Sequence, residues 1–254
     1  MKYIDHHVHT KFSPDSQEEV ETYLTKAKEL GLDYVLFTDH VDFGGIDPDF
    51  MDHIDYYKYK EYMKKLEFQY EIPIKIGVEI GYERNHKDEI ESFLDTHDFD
   101  FVIASIHYGN GLDFYLGDFF TGKTKYEAYT EYFNIVLDMV KNFKSYDVVG
   151  HLDYITRYGP YEDKHYDYDD YKDIIDEILI TIIDNNKAIE VNTSGLRGEL
   201  NVTFPKDEVI LRYKQLGGRY ISLGSDCHSV QDYQAGFSDL INNLDSMGFI
   251  LNKI

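Results

Sequence analysis

The chain of 254 residues is 43% hydrophobic and 29% charged, a balance that supports a sizeable core and excludes a disordered tail, a collagen-like chain or a disulfide-stapled miniprotein. Against 25 Lys and Arg stand 48 Asp and Glu, a net charge of −23 that argues against binding along nucleic acid or an anionic membrane, since both need basic clusters. The lone Cys227, the absence of a secretory pattern in MKYIDHHVHT and the lack of any apolar run near the ~20 residues of a membrane helix point to a soluble cytoplasmic protein.

In chain order, short apolar runs alternate with amphipathic ones, the pattern of β-α units around a parallel sheet. Tyr3 to Ile4 opens a first strand. Ser16, with Glu19 three residues on, reads as a capping box before the helical stripe of Val20, Leu24 and Ala27, which Gly31 closes. Further strands are predicted at 34–37, 74–78, 101–106, 148–149, 188–191 and 220–223, making seven. Helices are predicted near 55–70, 87–94, 126–143, 168–184, 206–216 and 233–247. The Tyr/Asp-rich stretch at 161–171 reads as a solvated loop leading into a helix. No break in composition divides the chain, so residues 1–254 read as one domain, either a closed (β/α) barrel or an open doubly wound sheet.

Metal-ligating residue types fall at the ends of these runs: His7 and His9, His40, Glu79, His107, His151, and Asp226 with His228. In a β/α barrel those ends form the face that carries active sites, so a scattered sequence pattern becomes a ring. His7 and His9 share one side of an extended segment, as do Asp226 and His228. Any one histidine is more often a satisfied or solvent-facing residue, but six of them with two carboxylates at strand ends favour metal. His6 should face away from His7, and His53, His86, His97 and His165 read as solvent-facing.

The motifs DHHVHT (5–10), FTDH (37–40), GVEIG (77–81), SIHYG (105–109), GHLDY (150–154) and GSDCH (224–228) together resemble the PHP superfamily of metal-dependent phosphoesterases. The resemblance implies a distorted (β/α)7 barrel with two to three divalent ions, among zinc, manganese and iron. It assigns His7, His9, Glu79 and Asp226 to one ion, Glu79, His107 and His151 to a second, and His40, His228 and Asp15 to a third, with Asp15 where the family often has histidine. Among members of this length, FSPDS after the HxH most resembles the stand-alone histidinol-phosphate phosphatases of histidine biosynthesis.

The resemblance implies attack on phosphorus by a hydroxide bridging two ions. Arg157 and Arg197, in loops on the ligand face, are candidate grips for the phosphoryl oxygens of a small phosphorylated substrate, L-histidinol phosphate. Asp226, Asp15 and His228 are candidates to protonate the leaving oxygen. Asp39 and Asp153 are candidate partners for the adjacent imidazoles. The glycine- and aromatic-rich loop 108–123 is a candidate lid or wall against an imidazole ring. Three alternatives stay open: another phosphoester substrate (nucleotide, small phosphomonoester or phosphotyrosyl peptide), a metal-dependent amidohydrolase, and a catalytically silent, metal-stabilised interaction module. The sequence leaves oligomerisation open.

Overall fold

Seven apolar segments assemble into one curled parallel sheet wrapped by helices, as seen in a computed structural model that describes residues 3–45, 50 and 54–251. His53 lies outside those residues. The strands are β1 (Val35–Phe37), β2 (His40–Asp42), β3 (Ile74–Gly81), β4 (Phe101–Ser105), the β5–β6 hairpin (Tyr108–Gly109 and Leu112–Asp113), β7 (Val148–Val149), β8 (Ala188–Asn192), β9 (Tyr220–Gly224) and β10 (Ile250–Leu251). The sheet runs β1-β3-β4-β7-β8-β9-β10, and β2 also pairs with β3. Because β1 and β2 both lie along β3, through Val35 with Ile74 and His40 with Glu79, they are one strand interrupted at Thr38 and Asp39.

The expected first strand at Tyr3 to Ile4 is replaced by an extended segment bridging at Val8 to Cys227. It fills the gap between β9 and β1: His6 N donates to Leu223 O, Asp226 N to His7 O, and Thr38 N to Val8 O. With β1 and β2 taken as one strand and β10 as a short addition paired to the start of β9, this seam is one of seven staves of a distorted (β/α)7 barrel.

The helices are α1 (Val20–Leu30), α2 (Tyr56–Tyr70), α3 (Lys87–Thr96), α4 (Lys125–Asn142), α5 (Ile155–Tyr158), α6 (Lys172–Asp184), α7 (Asp207–Gln215) and α8 (Phe237–Ser246). Each long one turns an apolar stripe to the sheet; in α1, Val20, Tyr23, Leu24 and Ala27 are buried at helical spacing, and left-handed Gly31 stops the helix. Ser16 is not its cap. The helix begins four residues later, at Val20, and Ser16 Oγ instead donates to His228 O at 3.0 Å, tying the loop to the segment that follows β9. A complete capping box occurs at Thr124 and Glu127, before α4.

In loop 108–123, Asn110 and Gly111 take the positive φ angles that a two-residue hairpin turn requires. Phe114, Phe119 and Phe120 are buried in the core, so they are not lid residues. The 161–171 stretch does lead into α6, but Tyr166 and Tyr171 are buried, and Tyr166 donates to Asp153 at 3.0 Å.

Candidate metal centre

The C-terminal ends of the strands converge on Glu79, which is fully buried at the end of β3. Its Oε2 lies 3.0 Å from His7 Nε2, 3.4 Å from His9 Nε2 and 2.9 Å from His40 Nδ1. Its Oε1 faces the other way, 2.9 Å from His151 Nε2 and 3.3 Å from His107 Nε2, and accepts from Ser105 Oγ at 2.6 Å. One carboxylate thus faces two groups of imidazoles.

Asp226 Oδ1 stands 3.4 Å from His9 and 3.7 Å from His7. Asp226 holds a positive φ of 53°, a conformation that Asp tolerates better than bulky residues, and its backbone N is tied to His7 O. At the rim, Asp15 Oδ2 is 2.9 Å from His228 Nε2 and 3.7 Å from His40 Nε2, while the rings of His9 and His40 stack at 4.1 Å and those of His9 and His228 at 4.2 Å. All nine residues expected as ligands therefore meet in one place.

The donor chemistry fits divalent ions. His7 Nε2, His9 Nε2, His40 Nδ1, Glu79 Oε2 and His228 Nε2 are buried without hydrogen-bond geometry to any partner among the described residues, although the four imidazole nitrogens each have a carboxylate oxygen within 3.4 Å. Buried polar atoms that approach one another without bonding signal a missing shared partner. Four sets of three donor atoms, each set within 4.8 Å, contain the combinations His7, His9, Asp226 and His7, Glu79, His151.

The electrostatics agree. Burial opposes the charge on Glu79 and on Asp226, yet His7 and its neighbouring imidazoles hold both carboxyls well below the usual range. Burial likewise opposes protonation of His7 and His107, but Glu190 and Asp42 respectively, with Glu79, hold them well above it. Burial, reinforced by His40 and His228, pushes His9 down.

The imidazoles are backed from behind, though not as the sequence suggested. Asp39 does not touch His40; it accepts from Ser13 Oγ at 2.8 Å, and Ser13 meets His9 Nδ1 at 3.1 Å. Asp153 accepts from Tyr166 and from Lys206 N rather than His151. The carboxylates on rings are Asp42, 3.0 Å from His107 Nδ1, and Glu190, 2.6 Å from His7 Nδ1. Neither was anticipated. Glu190 carries a signal in hindsight, as a lone acid inside the apolar run AIEVN.

As expected, His6 points away, meeting Ser222 at 3.1 Å, and His165 is exposed. His97 is not solvent-facing: half-buried, it packs edge-on against Phe93 at 4.9 Å.

Two cavities flank the centre. One of about 650 Å³ is lined by Arg157, Arg197 and Lys164, with Asp226 and His228 at its floor. Arg197 Nη2 donates to the carbonyls of Ser225 and Asp226, and Arg157 lies beside the rings of Tyr154 and Tyr158. Lys164, unnoticed in the sequence, reaches Glu199 across the mouth at 3.4 Å. The other, of about 750 Å³, lies on the His40 and His107 side and is walled by Phe50, Tyr115, Tyr154, Tyr158 and Asp113. Asp15 and Tyr158 border both.

Comparison with known proteins gives a consistent picture. The chain is 40% identical to the histidinol-phosphatase of Lactococcus lactis over 229 residues, covering 90% of this chain and 85% of that protein. A probable histidinol-phosphatase of Clostridium acetobutylicum is 35% identical, over 89% of this chain and 86% of that one. The crystal structure of the L. lactis histidinol phosphate phosphatase, complexed with zinc, L-histidinol and phosphate, superposes with a TM-score of 0.89 at 36% identity, covering 98% of this chain and 95% of that one. Residues 5–194 match the PHP domain, and with a buried ring of histidines and carboxylates at the strand ends of a distorted barrel, the chain belongs to the PHP domain family.

Proposed function

We propose that this chain hydrolyses L-histidinol phosphate to L-histidinol and phosphate, as a metal-dependent phosphomonoesterase of histidine biosynthesis working in the cytoplasm. The observation that carries the reading is Glu79, whose two oxygens face separate groups of imidazoles beside a cavity whose lining includes Arg157, Arg197 and Lys164. The relative of known structure, bound to zinc, L-histidinol and phosphate, supports the substrate. No described helix is long and apolar enough to cross a membrane.

His7, His9, Glu79 and Asp226 would hold one ion, Glu79, His107 and His151 a second, and His40, His228 and Asp15 a third, with zinc, manganese or iron as the metal. Bound there, the ions supply Lewis-acid stabilisation of the phosphoryl group and activation of water near neutral pH. The remaining work belongs to the protein. Arg157 and Arg197 orient the phosphoryl oxygens from the first cavity, Arg157 through a guanidinium whose fork matches two of them. The leaving oxygen takes up a proton as its bond to phosphorus breaks. Asp226, Asp15 and His228 are the candidates to hold that proton, the last two standing 2.9 Å apart on the rim. The aromatic cavity with Asp113 suits an imidazole ring and an ammonium group, so the histidinol moiety is read as lying there.

Residues 1–254 are read as a single PHP-type domain. The family match ends at residue 194, yet Asp5 accepts from Ser225 N at 2.9 Å and His9 N donates to Cys227 O, so the later strand completes the same site.

The test is a panel of phosphomonoesters assayed before chelation, after it, and with zinc, manganese or iron restored. Selective, chelator-sensitive cleavage of L-histidinol phosphate is expected. Faster cleavage of a nucleotide or a phosphotyrosyl peptide leaves the phosphoesterase and removes the pathway; inactivity with every metal and ester removes catalysis itself.

A further inference from the structure

Glu190 is a buried acid that the hydrolytic scheme does not use. It lies on β8, 1% exposed, and both its oxygens are engaged. Oε1 is 2.6 Å from His7 Nδ1. Oε2 accepts from the backbone N–H of His151 at 2.8 Å and from Asn192 Nδ2 at 3.1 Å. Its partners therefore include a residue of each of the two imidazole groups that face opposite sides of Glu79.

The surrounding backbone is cut to make room for it. A Cβ on Gly224 would overlap Glu190 Oε1 and stand 2.6 Å from the His7 Cβ. The glycine of GSDCH thus borders the slot in which this carboxylate lies. A buried acid given such a slot, with three donors and a 2.6 Å contact to an imidazole, is a built feature.

We propose that Glu190 is a positioning residue of the metal centre: it fixes His7 with the proton on Nδ1 and the Nε2 lone pair directed at Glu79 and Asp226, and it locks the backbone of His151 in register with that ring. The physical reason is acceptor capacity. A carboxylate offers acceptor sites on both oxygens and no donor. Glutamine at 190 offers one oxygen, so either the His7 N–H or the pair of donors at Oε2 faces another N–H. The consequence is a loosened His7 and a weaker ion, at unchanged ligand count. Loss of such a backing partner costs ~10–100-fold in metal affinity.

This inference rests on the metal-dependent reading above, and its test separates the two. In zinc-loaded wild-type protein with 15N-labelled histidine, His7 should show a protonated Nδ1 and an unprotonated Nε2; the opposite tautomer overturns the proposal without any variant. Metal-free wild type, Glu190→Gln and Asn192→Ala are then titrated with zinc against a chromophoric chelator, with cobalt(II) absorption as a second readout. Glu190→Gln should bind its tightest ion ~10–100-fold more weakly with a changed cobalt spectrum. Asn192→Ala removes a donor from the same carboxylate while leaving the His7 bond, and should keep wild-type affinity. Undiminished affinity in Glu190→Gln, or equal loss in both variants, overturns the positioning role. A wild type that takes up no ion overturns the metal-dependent reading and this inference with it.

Discussion

Glu79 Oε1 lies 2.9 Å from His151 Nε2, while its other oxygen is turned to His7, His9 and His40 on the far side of the centre. A side chain in that position has no local substitute, because among the described residues no other carboxylate stands within 4 Å of ring nitrogens in both groups. Glu79→Ala is expected to lower kcat by about 10²–10³-fold or more, the scale of losing one transition-state electrostatic partner. Metal content per chain, measured by mass spectrometry, should fall with it. Wild-type turnover in this variant would rule out a centre organised around Glu79.

Chelation should also destabilise the protein. An ion that binds only the folded chain stabilises it by about 2.7 kcal/mol when free metal is 100 times its dissociation constant. For a chain of this size that corresponds to about 5–10 °C in Tm. Differential scanning fluorimetry with and without chelator reads the shift, and identical melting curves would argue that the cluster holds no ion in solution.

Metal uptake should release protons. In the metal-free protein burial opposes charge on His40, but Glu79 above all, then Asp15 and Asp42, hold its pKa up at about 9. A group raised above its unfolded value of 6.5 adds stability that is fully present below that pH and is lost as pH climbs through about 9. Metal-free Tm should therefore decline across this window. Ion affinity should rise across the same window, since neutral imidazole is the ligand. Calorimetry in two buffers of different ionisation enthalpy counts the protons; zero release at pH 7 would contradict the protonated cluster.

The two arginines should behave differently. Arg157 touches Ser194 at 3.4 Å and stands 3.8 Å from Asp226, so Arg157→Ala is expected to cost about 10–100-fold in kcat/KM, from ~1.5–3 kcal/mol for a charged hydrogen bond, with metal content unchanged. Arg197 holds the carbonyls of Ser225 and Asp226 as well, and Arg197→Ala should lower both kcat/KM and metal content. Equal metal retention in the two variants would show that Arg197 does not support the Asp226 turn.

The ligand ring was legible because His, Asp and Glu at the ends of apolar runs break the composition of a strand where a barrel places its active site. Strand count was legible for the same reason: each run is short and apolar, and each is bounded by a polar turn. What escaped depends on distances across the fold. Asp42 and Glu190 back imidazoles 65 and 183 residues away, and no local pattern reports such a pairing. Asp39 was drawn to His40 by adjacency, but adjacent side chains of an extended chain point to opposite faces; Asp153, two residues beyond His151 in a turn, is turned to Tyr166 instead. Ser16 looked like a helix cap because its spacing to Glu19 is right; its hydroxyl is spent on His228 O instead. The aromatic residues of loop 108–123 divided between core and cavity wall, a split that composition alone does not encode.

The seam between residues 5–9 and β9 has a consequence for how the centre comes into being. Asp5 and Ser225, bonded at 2.9 Å, are 220 positions apart. While the chain is being made, His7 and His9 emerge early and wait for Asp226 and His228, so β1 to β8 can begin to assemble before the ring is whole. A nascent fragment stalled before β9 would carry seven of the nine ring residues and still lack the pair that closes it. Contacts so distant in sequence also form late and slowly. The protein thus withholds its chemistry until β9 and the Asp226 turn have been made.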